Sequence, residues 1–254
     1  MNEKEILEWY LSAGVDVICG NEPMSHNAKP APAVAVSERT PVRPAITDLA
    51  QSGDAACKNA RDICERASSL EELEKGVENF DGCALKLTAN KTVFGSGNPH
   101  AEIMFVGEAP GADEDRMGLP FVGRSGQLLD KMLAAVGIAR NACYITNILM
   151  WRPPGNRTPT TAETAVCLPF LKRKIELIAP KIIIALGAPA ANALLDTEEA
   201  ISRIRGKWLE YCPHAGEKID LLATFHPAYL LRNPAQKGKT WADFLRLAKK
   251  IANN

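Results

Sequence analysis

The stretch at residues 102–126, EIMFVGEAPGADEDRMGLPFVGRSG, constrains this chain more than any other. Ile103, Met104, Phe105 and Val106 form the short apolar run of a strand buried on both faces. Gly107, Pro110 and Gly111 then force a tight turn. Three acids follow, Asp113, Glu114 and Asp115, and then Gly118-Leu119-Pro120-Phe121-Val122-Gly123. Residues 127–136 carry a helical apolar period at Leu128, Leu129, Met132, Leu133 and Val136. A strand feeding a glycine-rich loop and then a helix is where an open α/β sheet places its ligand crevice. Any such turn favours glycine and proline. This one adds carboxylates, free backbone N–H groups and an aromatic plate held by a proline.

The rest of the chain from residue 83 repeats that rhythm. Strands are expected at 142–146, 181–186 and 221–225, and helices at 161–178, 189–195 and 240–252. Thr160 or Thr161 is placed to cap the long helix, with Glu163 in its first turn. Alternating strands and helices predict a three-layer α/β/α sandwich around a central parallel sheet. Loops at 107–123, 147–159 and 226–234 leave strand C-termini and should converge on one crevice.

Ahead of this domain the sequence changes character. Residues 3–13 suit an amphipathic helix within a 1–20 segment, and residues 21–55 read as a Pro/Ala-rich linker. Residues 58–67 and 70–80 suit two leading helices, so the α/β domain is assigned to 56–254 with 56–80 as its helical lead.

A 254-residue chain with 46% apolar residues can bury a full core. Formal net charge is zero, which argues against a histone-like binder and leaves room for an enzyme with a local basic face. No apolar run approaches the roughly 18 residues of a membrane span, and the charged start does not read as a signal peptide. A cytoplasmic protein is expected. The seven cysteines include no CxxC pair, so a disulfide framework is not expected.

The predicted loops carry a small set of candidate groups. Asn147 closes Tyr144-Ile145-Thr146-Asn147 and can offer one donor and one acceptor to a flat ligand edge; an Asx turn is the other reading. His226 precedes Pro227, which fixes the backbone beside it; a structural histidine at a strand end is the alternative. Leu230 and Leu231 before Arg232 suit an apolar wedge beside a cation, or the start of a helix with both leucines inward. Arg152, Arg157, Arg203, Arg205, Lys207, Arg232, Lys237 and Lys239 gather in or near these loops and suit phosphate contact.

In order, VGEAPG, ED, PFVGR-GQLLD, YITN, RPPGNRTP, IELIAPKIII-LG, RGKW and HPAYLLRNP resemble the family 4 uracil-DNA glycosylases over residues 83–253. The resemblance implies a parallel α/β/α fold and hydrolysis of the N-glycosidic bond of deoxyuridine in DNA, single- or double-stranded. It implies that Glu108, Ala109 and Pro110 line the uracil pocket, that Phe121 stacks on the base, and that Asn147 binds its polar edge. His226 would face O2, with Glu108 and Glu114 as the catalytic acids, either of which could position the water. Arg157, Leu230, Leu231 and Arg232 would meet DNA. No lysine nucleophile is implied, so a monofunctional glycosylase is expected, and the loop at 152–159 lacks the basic insertion of a branch that links covalently to DNA.

Family members hold a 4Fe–4S cluster on four cysteines. Cys83 and Cys167 match two of those positions, whereas Phe80 and Trp151 stand at the other two and cannot ligate iron. The expectation is a chain without cofactor, the family's 4Fe–4S cluster absent. Two further readings stay open: a DNA-binding scaffold that has lost chemistry, and a glycosylase for another deaminated base such as hypoxanthine. Residues 1–20 are a candidate docking element for a repair or replication protein, and the family implies a monomer.

Overall fold

The computed structural model describes residues 53–214 and 217–253, all within the larger of two units of the chain, Ile46–Asn254. The expected N-terminal helix lies outside the described residues, as does the linker up to residue 52. The linker's last three expected residues are instead helical, because α1 (Gly53–Arg66) starts earlier than its apolar period suggests. Helix α2 (Leu70–Glu78) follows, its N-cap Ser69 accepting the Glu72 N–H.

Six strands form one sheet: β1 (Ser96–Gly97), β2 (Ile103–Gly107), β3 (Tyr144–Asn147), β4 (Ile182–Leu186), β5 (Trp208–Tyr211) and β6 (Ile219–Thr224). Their order is β1-β3-β2-β4-β6-β5. The inner four are parallel, as expected of the central sheet, and the two edge strands pair antiparallel. β5 joins β6 through a connection too short for a parallel crossover. β1 spans two residues and gives no periodic signal.

Between the strands run α3 (Ala112–Met117), α4 (Arg124–Ala135), α5 (Thr161–Ile178), α6 (Ala188–Leu195) and α7 (Ile201–Ile204). After β6 come α8 (Pro227–Arg232) and α9 (Lys237–Ala252). α5 begins where the sequence places it. Thr160 accepts the Glu163 N–H, and Glu163 reaches back to the Thr160 N–H.

Alternate strand residues feed two core layers. Met104, Val106, Ile183, Ala185 and Leu221 face α1, α2, α5 and α6. Phe105, Ile145, Ile184 and Leu222 face α4 and α9, against Leu129, Leu133 and Phe244. The leading helices are therefore part of the domain core, and Arg173 of α5 ties down the end of α1 through the Ala67 carbonyl at 2.8 Å. No helix among the described residues is long and apolar enough to cross a membrane.

The strand order fixes where a site can lie. From β2 the chain moves to β3 on one side, and then returns across β2 to β4 on the other. Such a reversal opens a crevice at strand C-termini.

Candidate active site

A crevice of about 790 Å³ sits at that reversal, walled by the loops after β2, β3, β4 and β6. Glu108, Glu114, Phe121, Asn147, Arg157 and His226 all line it, so loops far apart in sequence meet as expected.

The loop after β2 is folded around Glu114. Its Oε2 accepts the Gly111 N–H at 3.1 Å, and its Oε1 accepts the Val122 and Gly123 N–H groups, both at 2.9 Å. These bonds join the two ends of the loop and leave little of the carboxylate for chemistry. Phe121 lies between them with φ +53, a left-handed backbone that costs a non-glycine residue on the order of 1–3 kcal/mol. Its neighbours enforce that geometry: a Cβ on Gly126 would lie 1.9 Å from the Phe121 carbonyl oxygen. Only glycine lets the chain approach so closely.

Phe121 and Asn147 close on each other over Gly107. A Cβ there would stand 2.4 Å from Asn147 Oδ1 and 2.7 Å from Phe121 Cζ. Asn147 is 2% exposed, and its Oδ1 has no hydrogen-bond partner. A buried amide oxygen left unpaired costs about 1–3 kcal/mol unless a ligand completes it. Asn147 is held firmly all the same. The Ile148 and Leu149 N–H groups bond to the Gly107 and Glu108 carbonyls at 3.0 and 3.1 Å. Behind it, fully buried Lys174 donates to Phe94 O at 2.6 Å and to Thr146 Oγ1 at 3.2 Å. Burial pushes the Lys174 amine down to about 7.

His226 caps α8. Its Nδ1 accepts the Ala228 N–H at 3.1 Å, so the proton of the neutral ring sits on Nε2. Burial, and then the Arg232 charge, hold its pKa down to about 4. The ring packs against Phe121 at 5.5 Å between centroids. Gly187, at φ +94, makes room for it, since a Cβ there would lie 3.2 Å from the His226 Cβ. From below, Thr224 donates to buried Asp243 at 2.7 Å, and Arg205 also grips that acid.

Glu108 differs from Glu114. It is half-buried, burial raises its pKa, and its carboxylate makes no hydrogen bond among the described residues. It is the acid of the crevice with oxygens free to act.

The expected DNA contacts divide. Leu230 is 1% exposed and packs inward, so it cannot act as a wedge; the helical turn of α8 that buries it leaves Leu231, 37% exposed, outside. Arg157 is bound at two points by Glu163, at 2.9 and 2.6 Å, and the pair holds the Glu163 carboxyl down at about 2. Arg205 turns inward to Asp243 and Arg203 pairs with Glu199, while Arg232, Lys237 and Lys239 are exposed. Lys174 and Asp243, which brace the site, carry no sign of that role in the sequence beyond being charges at apolar helix positions.

The family model of the uracil DNA glycosylase superfamily matches residues 94–245, which hold every one of these groups. Several type-4 uracil-DNA glycosylases match over most of their own length. That of Archaeoglobus fulgidus is 42% identical over 71% of this chain and 92% of its own.

The chain belongs to the type-4 family of the uracil-DNA glycosylase superfamily.

The type-4 uracil-DNA glycosylase of Thermotoga maritima is 43% identical over 66% of this chain and 86% of its own. That of Pyrobaculum aerophilum is 40% identical over 68% and 90%.

Proposed function

We propose that this chain removes uracil from DNA, hydrolysing the N-glycosidic bond of a flipped deoxyuridine and leaving an abasic site for base excision repair. The observation that carries this reading is Asn147. Its Oδ1 is buried, unpaired and braced from behind, and it faces the crevice beside Phe121. A uracil ring stacked on Phe121 would bring N3–H to that oxygen and O4 to the amide N–H₂. Cytosine presents the reverse pattern and would leave two polar groups unpaired, at about 1–3 kcal/mol each.

Extrusion of the nucleotide costs a few kcal/mol. Leu231 can fill the gap in the duplex, with Arg232 against the backbone. As the bond between C1′ and N1 breaks, its electron pair passes to uracil, mostly onto O2. The neutral His226 donates Nε2–H to that oxygen; one such donor in a dry site contributes about 3–4 kcal/mol. Positive charge gathers on the sugar, where ionised Glu108 stabilises it and orients the attacking water, whose proton it can accept. Glu114 shapes the loop. No amine takes part, so the DNA strand stays intact.

The test is release of uracil from single- and double-stranded oligonucleotides carrying one deoxyuridine. Free uracil and an alkali-labile abasic site, without strand cleavage before alkali, are expected. DNA binding without base release would overturn the reading.

A further inference from the structure

The type-4 resemblance implies a 4Fe–4S cluster, and the residues of this chain do not fit one. Cys83 and Cys167 are buried as neighbours. At the other two ligand positions stand Phe80 and Trp151, each 1% exposed, with rings stacked 6.4 Å apart at 23°. Phe170 meets Phe80 edge-on at 5.1 Å. The Phe80 ring lies directly over Gly82, where a Cβ would stand 2.4 Å from Cζ. Trp151 Nε1 donates to Thr92 Oγ1 at 3.1 Å, so even its polar atom is spoken for. Among the described residues no group of three or more His, Cys, Asp or Glu side chains could hold a metal ion. A cluster needs thiolates at its corners, and this chain offers packed aromatic rings.

We propose that the Phe80–Trp151–Phe170 stack is an iron-independent clamp that does the cluster's structural work and so holds the crevice open for DNA. The three rings join three separate pieces of chain. Phe80 lies just past α2, Phe170 is on α5, and Trp151 lies four residues beyond Asn147 on the segment that runs into the crevice wall at Pro153 and Arg157. A cluster would bind the same pieces covalently. Aromatic packing does so by burial and ring geometry, and it has no redox state to lose. The proposal takes from the family assignment only the expectation of a cluster.

The test starts with iron and acid-labile sulfide in the full chain, expressed with ample iron and purified without oxygen. A colourless protein with no stoichiometric iron is expected, with uracil release unchanged by ferricyanide or a chelator. Trp151→Ala, assayed well below its melting temperature, should raise KM for the uracil oligonucleotide about tenfold, because the wall beyond Asn147 loosens; Trp151→Phe, which keeps a ring, should restore it. The double substitution F80C/W151C rebuilds four thiols and should take up about four irons per folded chain. Wild-type protein carrying stoichiometric iron overturns the proposal, and so does a folded double variant that takes up none. Trp151→Ala with wild-type melting temperature and KM overturns the clamp. The iron assay reads out without glycosylase activity, so a failed functional reading and a failed clamp are distinguishable.

Discussion

Gly107 shows how little space the site leaves. Alanine there would thrust a Cβ into Asn147 Oδ1 and the Phe121 ring, at 2.4 and 2.7 Å. Gly107→Ala is therefore expected to lower kcat/KM for uracil DNA about 100-fold, or about 2.7 kcal/mol, while binding to undamaged DNA is unchanged. Steady-state kinetics beside a gel-shift measurement checks this. Two neighbouring groups set the pH behaviour. His226 is depressed to about 4, so it stays neutral throughout the working range. Glu108 is raised by burial and must be ionised to act, so activity should fall with decreasing pH through that raised pKa. A pH–rate profile should show this acidic limb in the wild type and lose it in Glu108→Gln. Stability responds separately. The unfolded histidine binds a proton near 6.5 and the folded one only near 4, so His226 lowers stability as pH falls through that window. At this scale the groups that line the crevice were legible in the sequence, because glycines, a proline-held Phe121 and a proline-fixed His226 mark them. The contrast between Glu114, held by three backbone N–H groups, and the unpartnered Glu108 was not, since the folded loop decides it.

The C-terminal end of β3 depends on what lies behind it. Lys174 is fully buried on α5 and grips Phe94 O and Thr146 Oγ1, next to Asn147. Its folded pKa is about 7 against 10.5 when free. Between those values the unfolded state binds more protons, so stability rises with pH across that window. Melting temperatures from pH 7 to 10 should climb less for Lys174→Met than for the wild type. Equal slopes would show that the amine is not buried. Glu114→Ala removes three charge-assisted bonds from the loop after β2 and should cost about 2–4 kcal/mol in denaturant unfolding. Elements with strong local signals were readable: α5 with its Thr160–Glu163 capping box, and the all-buried β4. Edge strands β1 and β5 were not, because one is two residues long and the other alternates only weakly. Lys174 and Asp243 carry no sequence mark of their roles, yet both are fully buried, since tertiary partners rather than local pattern admit a charge to a core.

Across the whole molecule a net charge of zero must still yield a face for DNA. Ion pairing thins the basic set expected there, because Glu163 holds Arg157 and Asp243 holds Arg205. Arg232, Lys237 and Lys239 remain exposed beside the crevice. Binding to duplex DNA should therefore weaken with salt at a log–log slope of roughly −2 to −3. Arg232→Ala should reduce that slope by about 1, and Arg157→Ala by less. The central claim is that a buried, unpaired Asn147 selects uracil in a crevice formed before DNA arrives. It is tested most directly by uracil release from one oligonucleotide, comparing the wild type with Asn147→Ala under single-turnover conditions. Uracil release by the wild type, a loss of about 100-fold or more in the variant, and unchanged affinity of the two proteins for DNA without uracil are expected. A variant that releases uracil at the wild-type rate would contradict it.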